Sequence, residues 1–241
     1  MIITEAMVLA AGLGTRMRPL TDKTPKPLIA VAGKPLVDYA LDLLAEAGVE
    51  HAVVNVHHHA EQMIEHLSRY EGLTVSISDE REALLNSGGG LVKGLTLLGK
   101  SPVFVMNADL FWIEEGEPGN LARLGGFFDP TTMDMALLCV SPEQMTGHNE
   151  KLDFSLAEDG RLQRYREGDP GAVVYAGALV VSPNLFDDAP EGAFNLNIYF
   201  DRAIAAGRLF GVPLSGRWLT VGTPDAIAAA EQVLQSLDGG D

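Results

Sequence analysis

The run at 9–28 reads LAAGLGTRMRPLTDKTPKPL, and it constrains this chain more than any other feature. It opens at the end of an apolar block, residues 6–11, with the make-up of a buried strand, and then breaks into Gly12-Leu13-Gly14-Thr15-Arg16. In a parallel sheet such a loop lies at the carboxyl edge of the strands, where ligands bind. Glycines there let backbone N–H groups approach phosphate oxygens without a Cβ in the way. The two common phosphate loops do not fit. A dinucleotide fingerprint needs a third glycine where Met17 stands, and a P-loop needs Gly-Lys-Ser/Thr. The glycines lead instead to Arg16-Met17-Arg18-Pro19-Leu20-Thr21 and on to Thr24-Pro25-Lys26-Pro27-Leu28. Prolines on both sides of Lys26 restrict the backbone, so the lysine is displayed on a stiff extended segment. A rigid cation suits an in-line phosphoryl displacement, whose catalysis is mostly positioning and charge neutralisation.

Charge supports a small anionic ligand. The formal net charge of −16 argues against nucleic acid as a partner, because phosphate-backbone binding needs a basic face. Residues 1–35 nevertheless hold Arg16, Arg18, Lys23, Lys26 and Lys34 against only Glu5 and Asp22. A local cationic loop in an acidic protein suits a polyanion such as a triphosphate. No apolar run approaches the roughly 18 residues that span a bilayer. The first residues, MIITEAMVLAAG, lack a basic region ahead of their apolar stretch. We therefore expect a cytoplasmic protein with no membrane partner, a monomer or small homo-oligomer. Cys139 is the one cysteine and sits in an apolar run, which predicts a buried, unreactive thiol.

At 241 residues and 46% hydrophobic, the chain can bury the core of one α/β domain. Apolar strand patterns at 6–11, 52–56, 73–77 and 103–107 alternate with amphipathic helix patterns at 36–47, 60–68 and 89–98. That is the rhythm of a doubly wound, mainly parallel sheet. Beyond Asp109 a helix at 120–127 leads to strands at 134–140, 153–156, 162–166 and 173–181, with a hairpin turn signal in Ala157-Glu158-Asp159-Gly160. A helix at 196–206, strands at 209–213 and 218–221 and a helix at 224–237 complete the pattern. We expect a mixed, mainly parallel Rossmann-like sheet carrying a small antiparallel lobe.

Further residues suit the same chemistry. Asp109 ends the strand at 103–107, a position from which a carboxylate can hold a hard cation against a triphosphate. Ser87-Gly88-Gly89-Gly90 opens a helix, and its amides suit a nucleobase edge or ribose. Three consecutive histidines, His57, His58 and His59, cannot all point one way from a strand end. Phe111 and Trp112 suit a sugar pocket or the core equally.

The motifs LAAGLGTRMRPLT and PKPL resemble the opening of the sugar-phosphate nucleotidyltransferases, which have a glycosyltransferase-A-like fold. Asn55-Val56, Ser87 to Gly90, Asn107-Ala108-Asp109, Tyr175-Ala176-Gly177 and Trp218 to Thr223 extend the resemblance over essentially the whole chain. It implies a metal-dependent attack by a sugar 1-phosphate oxygen on the α-phosphorus of a nucleoside triphosphate. It gives Ala11, Gly12, Gly14 and Thr15 to the triphosphate and base, Arg16 to the leaving pyrophosphate, and Lys26 to the α-phosphate or sugar phosphate. Asp109 would hold Mg2+, and Asn86, Gly88 and Gly89 would meet the base or ribose. Asn149, Asp153, Gly177 and Asn195 would face the sugar. Residues 1–110 would then be the nucleotide-binding half and 111–237 the sugar-binding half of one domain.

The pattern departs from the family at Thr220, where an aspartate commonly serves as second metal ligand. The resemblance leaves three readings there: Asp109 acts with the triphosphate and water, a group such as Asp225 or Asn197 compensates, or catalysis is weakened and the chain regulates by binding. Within the family the sequence looks most like the N-acetylmuramate 1-phosphate uridylyltransferases, which implies UTP. Mannose- or heptose-1-phosphate guanylyltransferases and phosphocholine cytidylyltransferases are the alternatives.

Overall fold

The computed structural model describes residues 2–147 and 151–238. Its elements, in chain order, are β1 (Glu5–Leu9), β2 (Ala30–Val31), β3 (Lys34–Pro35), α1 (Leu36–Glu46), β4 (His51–Val56), α2 (Ala60–Leu67), β5 (Thr74–Asp79), α3 (Asn86–Leu95), β6 (Val103–Asn107), β7 (Leu110–Glu114), α4 (Asn120–Phe127), β8 (Met135–Val140), β9 (Met145–Thr146), β10 (Phe154–Leu156), β11 (Leu162–Arg164), β12 (Ala172–Val181), α5 (Asn197–Ala205), β13 (Leu209–Pro213), β14 (Gly216–Thr220) and α6 (Pro224–Asp238). None of these helices is long and apolar enough to cross a membrane.

The main sheet runs β5-β4-β1-β6 with all four strands parallel; β12 then pairs antiparallel with β6, β8 antiparallel with β12, and β13 parallel with β8. Successive residues of one strand enter different core clusters: Ala6 and Val8 pack with Leu41, Met63 and Leu121, whereas Met7 packs with Leu91, Leu137 and Phe200. Both faces are therefore covered by helices. That is why these strands read as continuous apolar blocks rather than as alternation.

The chain leaves β1 for β4 and β5 on one side and returns through α3 to β6 on the other. Strand order thus reverses between β1 and β6, which opens a crevice at their carboxyl ends. The loop after β1 and the turn after β6 form its two lips, joined where the Ala108 amide donates to the Leu9 carbonyl at 3.1 Å.

β12 is long enough to serve two neighbours along one edge. Its first residues pair with β10 and its last with β6, and its register with β8 shifts between Tyr175 and Leu179. Gly177 makes that bulge, with φ at +79°, and its Cα packs so closely on Leu110 that a side chain there would collide. The indole of Trp218 donates to the Ala176 carbonyl at 2.9 Å, within the same bulge. The β10–β11 hairpin forms over the expected turn and extends the sheet by pairing β10 antiparallel with β12.

A second, three-stranded sheet forms the small lobe beside the main one, with β14 at the strand expected over 218–221 and β7 and β9 as its two neighbours. β14 pairs antiparallel with β7 and parallel with β9, and α6 packs on it through Leu219, Val221 and Ala230. Phe111 and Trp112 are buried there; Phe111 stacks on Tyr39 with centroids 4.0 Å apart, and Trp112 donates to Glu114 at 2.7 Å. They are core side chains and not the walls of a sugar pocket. Cys139 is buried in β8, and burial pushes its thiol pKa up.

Candidate active site

The lip after β1 is shaped by a buried asparagine. Asn55, at the carboxyl end of β4, accepts the amides of Ala10 at 2.6 Å and Ala11 at 3.2 Å through Oδ1, and donates to Glu80 at 2.6 Å through Nδ2. Glu80 in turn accepts the Leu85 amide at 3.0 Å. The strand consequently ends at Leu9 rather than at Ala11. The Ala11 amide, expected at the ligand, is spent on this anchor although Ala11 lines the crevice. Among the described residues the amides of Gly12, Leu13 and Gly14 find no acceptor, and Gly12 is exposed. Amides left open in a fixed loop are what an anion binds.

Gly14 has left-handed backbone angles (φ 61°, ψ 31°), and a Cβ on it would lie 2.8 Å from the Thr21 methyl and 2.9 Å from the Lys26 Cβ. The Thr21 hydroxyl donates to its carbonyl at 2.9 Å. Glycine is thus required by conformation and by the close approach of the lysine segment. That segment turns at Lys26–Leu28 instead of staying extended, with Pro25 ahead of the turn. It sends Lys26 inward: the side chain is 10% exposed and its Nζ meets Asp109 Oδ2 at 2.6 Å. Asp109 occupies the turn between β6 and β7, 38% of its side chain exposed, and its carbonyl accepts the Val221 amide at 3.0 Å. A buried cation and an accessible carboxylate therefore face one another across the two lips.

The crevice holds about 540 Å³ and is lined by Gly12, Lys26, Asn55, Glu80, Asn86 and Asp109 among others. A second hollow of about 180 Å³ adjoins it, sharing Leu9, Ser87 and Asn107 and adding Asp153, Tyr175, Arg164 and Asn195. Asp153 is fixed there, accepting the Tyr175 amide at 3.1 Å. Asn195 accepts the amide and side chain of Asn197, at 2.9 and 2.7 Å. The structure thus gathers the widely separated Asp153 and Asn195 beside the crevice. Gly177 contributes only the bulge described above. Asn149 lies outside the described residues.

Arg16 and Thr15 are exposed on the single turn Thr15–Met17, and among the described residues Arg16 has no carboxylate partner. Its guanidinium lies against Gly222, just beyond β14. The triple glycine departs from expectation. The amides of Gly88 and Gly89 both donate to the Phe194 carbonyl, at 2.9 and 3.3 Å, and are not presented to a ligand. Side chains at Gly88, Gly89 and Gly90 would collide with the Phe194 ring, the Gly192 carbonyl and the Asn55–Glu80 pair respectively. Their role is packing, which leaves Asn86, at φ +62°, and Ser87 as the crevice-lining residues of that helix start.

The three histidines part company. His57 bonds the Glu80 carbonyl at 2.7 Å, His58 the Thr21 carbonyl at 2.9 Å, and the buried Nε2 of His59 has no hydrogen-bond partner among the described residues. Among those residues no group of three or more His, Cys, Asp or Glu side chains could hold a metal ion. Thr220 stands opposite Leu110 in the β14–β7 ladder, beside Asp109, whereas Asn197 is committed to Asn195 and to Arg164 in the second hollow. Glu80 and Arg164 are not among the residues expected from sequence, and Tyr175 enters there only through the motif Tyr175-Ala176-Gly177. An acidic residue directly after a strand is the signal for Glu80.

Residues 5–140 match the nucleotidyl transferase family. The chain is 44% identical over 94% of its length to the N-acetylmuramate alpha-1-phosphate uridylyltransferase of Caulobacter vibrioides, covering 95% of that protein. It is 32% identical over 91% of its length to the Neisseria meningitidis serogroup B protein of the same name, covering 93% of it. The fold also matches the inositol-1-phosphate CTP transferase of T. maritima with a TM-score of 0.78, at 18% identity over 100% of this chain and 98% of that one. With the loop, the lysine and the carboxylate assembled at the strand-order reversal, these matches show that the chain belongs to the nucleotidyl transferase family.

Proposed function

We propose that the chain transfers the uridylyl group of UTP to N-acetylmuramate 1-phosphate and releases pyrophosphate, a cytoplasmic step of cell-wall recycling. The observation that carries this reading is the Lys26–Asp109 pair facing the crevice, 2.6 Å apart. The likeness to two uridylyltransferases over nearly their whole length supports the choice of base and sugar.

In this reading the open amides of Gly12 and Gly14, with Thr15, receive the triphosphate, and Arg16 takes the β- and γ-phosphates. Lys26 neutralises charge at the α-phosphorus. Asn86 and Ser87 meet the nucleoside, and Asp153 and Asn195 orient the sugar. The acceptor needs no base to activate it, because a phosphate monoester is largely ionised at neutral pH. Its oxygen forms a bond to the α-phosphorus as the α–β bridge breaks, and the electron pair leaves with pyrophosphate. Residues 1–110 thus hold mainly the nucleotide and 111–237 the sugar.

A divalent cation fits these residues if the nucleotide supplies most of its ligands. Asp109 offers one accessible carboxylate and Thr220 stands beside it as a neutral residue, which matches Mg2+ held by one or two carboxylates, phosphate oxygens and water. Bound there, Mg2+ would neutralise charge developing on the phosphates.

The test is pyrophosphate release from five nucleoside triphosphates set against N-acetylmuramate, N-acetylglucosamine, mannose and heptose 1-phosphates. UTP with N-acetylmuramate 1-phosphate is expected to give the highest kcat/KM. A preference for GTP with mannose or heptose would replace the substrate reading. Nucleotide binding with no turnover in any cell would make the chain a binding protein.

A further inference from the structure

We propose that Arg164 reads the carboxylate of the sugar substrate and so selects N-acetylmuramate 1-phosphate over neutral sugar phosphates. The inference rests on the function proposed above, because the muramate sugar differs from N-acetylglucosamine by a lactyl ether ending in a carboxylate.

That carboxylate enters a hollow already holding Asp153, and a second anion there is excluded unless a cation compensates it. Arg164 is the basic side chain among the residues lining the hollow. Its guanidinium is set in place beforehand. Nε donates to Asp201 at 2.7 Å, Nη2 donates to Asn197 at 2.8 Å, and the group lies over the Phe154 ring, 4.8 Å from the centroid. Among the described residues Nη1 has no partner. Asp201, 62% exposed, takes Nε and Asn197 takes Nη2, which leaves Nη1 to a ligand. An oriented arginine binds a carboxylate without first losing side-chain freedom, and lysine lacks the planar fork.

Steady-state kinetics with UTP would compare N-acetylmuramate 1-phosphate with N-acetylglucosamine 1-phosphate, the latter as substrate or competitive inhibitor. Arg164→Gln is expected to lower kcat/KM for the muramate by roughly 10–100-fold, mainly through KM, the range for losing a hydrogen bond to a charged group. The constant for the neutral sugar should move by less than about threefold, and Arg164→Lys should recover part of the loss. Equal losses on the two sugars would overturn the proposal, because Arg164 would then serve the phosphate or the fold. An unchanged Arg164→Gln enzyme would overturn it alone; a wild type that does not use N-acetylmuramate 1-phosphate would defeat the functional reading and this inference together.

Discussion

Replacing Lys26 with alanine is expected to lower kcat by roughly 10²–10³, the loss typical of deleting one preorganised donor to a developing charge. The reason lies in placement. Arg16 is exposed, so water screens its charge, whereas the Lys26 side chain is 10% exposed and its Nζ is pinned by Asp109. The loss should fall on kcat more than on KM for UTP, because the contact gains most as charge builds at the α-phosphorus. Lys26→Arg is not expected to rescue turnover. The Lys26 Cβ is packed against Gly14, and a planar fork does not fit a slot formed around a linear ammonium chain. Thermal melting should place Lys26→Ala close to the wild type, since Asp109 remains partly hydrated. Turnover within about threefold of wild type in Lys26→Ala would refute the role, being less than about a quarter of the expected barrier change.

Asp109→Asn is expected to produce a comparable fall, roughly 10²-fold or more, with a different signature. Asparagine keeps the size of the side chain and an oxygen that can accept from Lys26, so the turn between β6 and β7 persists. What disappears is the charge. With neutral Thr220 alongside, the Mg2+ concentration for half-maximal activity should rise, and titration calorimetry should show weaker binding of the Mg2+–UTP complex with less change in binding of UTP alone. An unchanged Mg2+ dependence would remove Asp109 from metal binding even if the rate fell.

The sequence carried the site's parts more readily than its assembly. β6 was legible because both of its faces are buried, leaving an uninterrupted apolar block before Asn107 and Asp109. Lys26 and Asp109 each announced a chemical setting locally, one between prolines and one at a strand end. Their contact spans 83 positions and follows from strand order, which periodicity does not encode. β7 carries no local signal because its ladder partner, β14, lies farther still along the chain, and two aromatics after a strand read as pocket or core alike.

The triple glycine shows the opposite case. Its unusual backbone was evident, but its purpose was not, because Phe194, Gly192 and the Asn55–Glu80 pair approach it from distant segments. Arg164 gave no signal at all. A single arginine in a hairpin strand reads as solvated until β12 and α5 fold the second hollow around it.

The central claim is that this crevice joins a sugar 1-phosphate to the α-phosphorus of UTP. The most direct measurement is a phosphorus-31 spectrum of the purified wild-type chain with UTP, Mg2+ and N-acetylmuramate 1-phosphate carrying oxygen-18 in its phosphate. The account predicts loss of the triphosphate and sugar-phosphate signals and matched growth of pyrophosphate and a diphosphate diester, with the label in the new bridging position. Orthophosphate without pyrophosphate, or a label absent from the bridge, would contradict it.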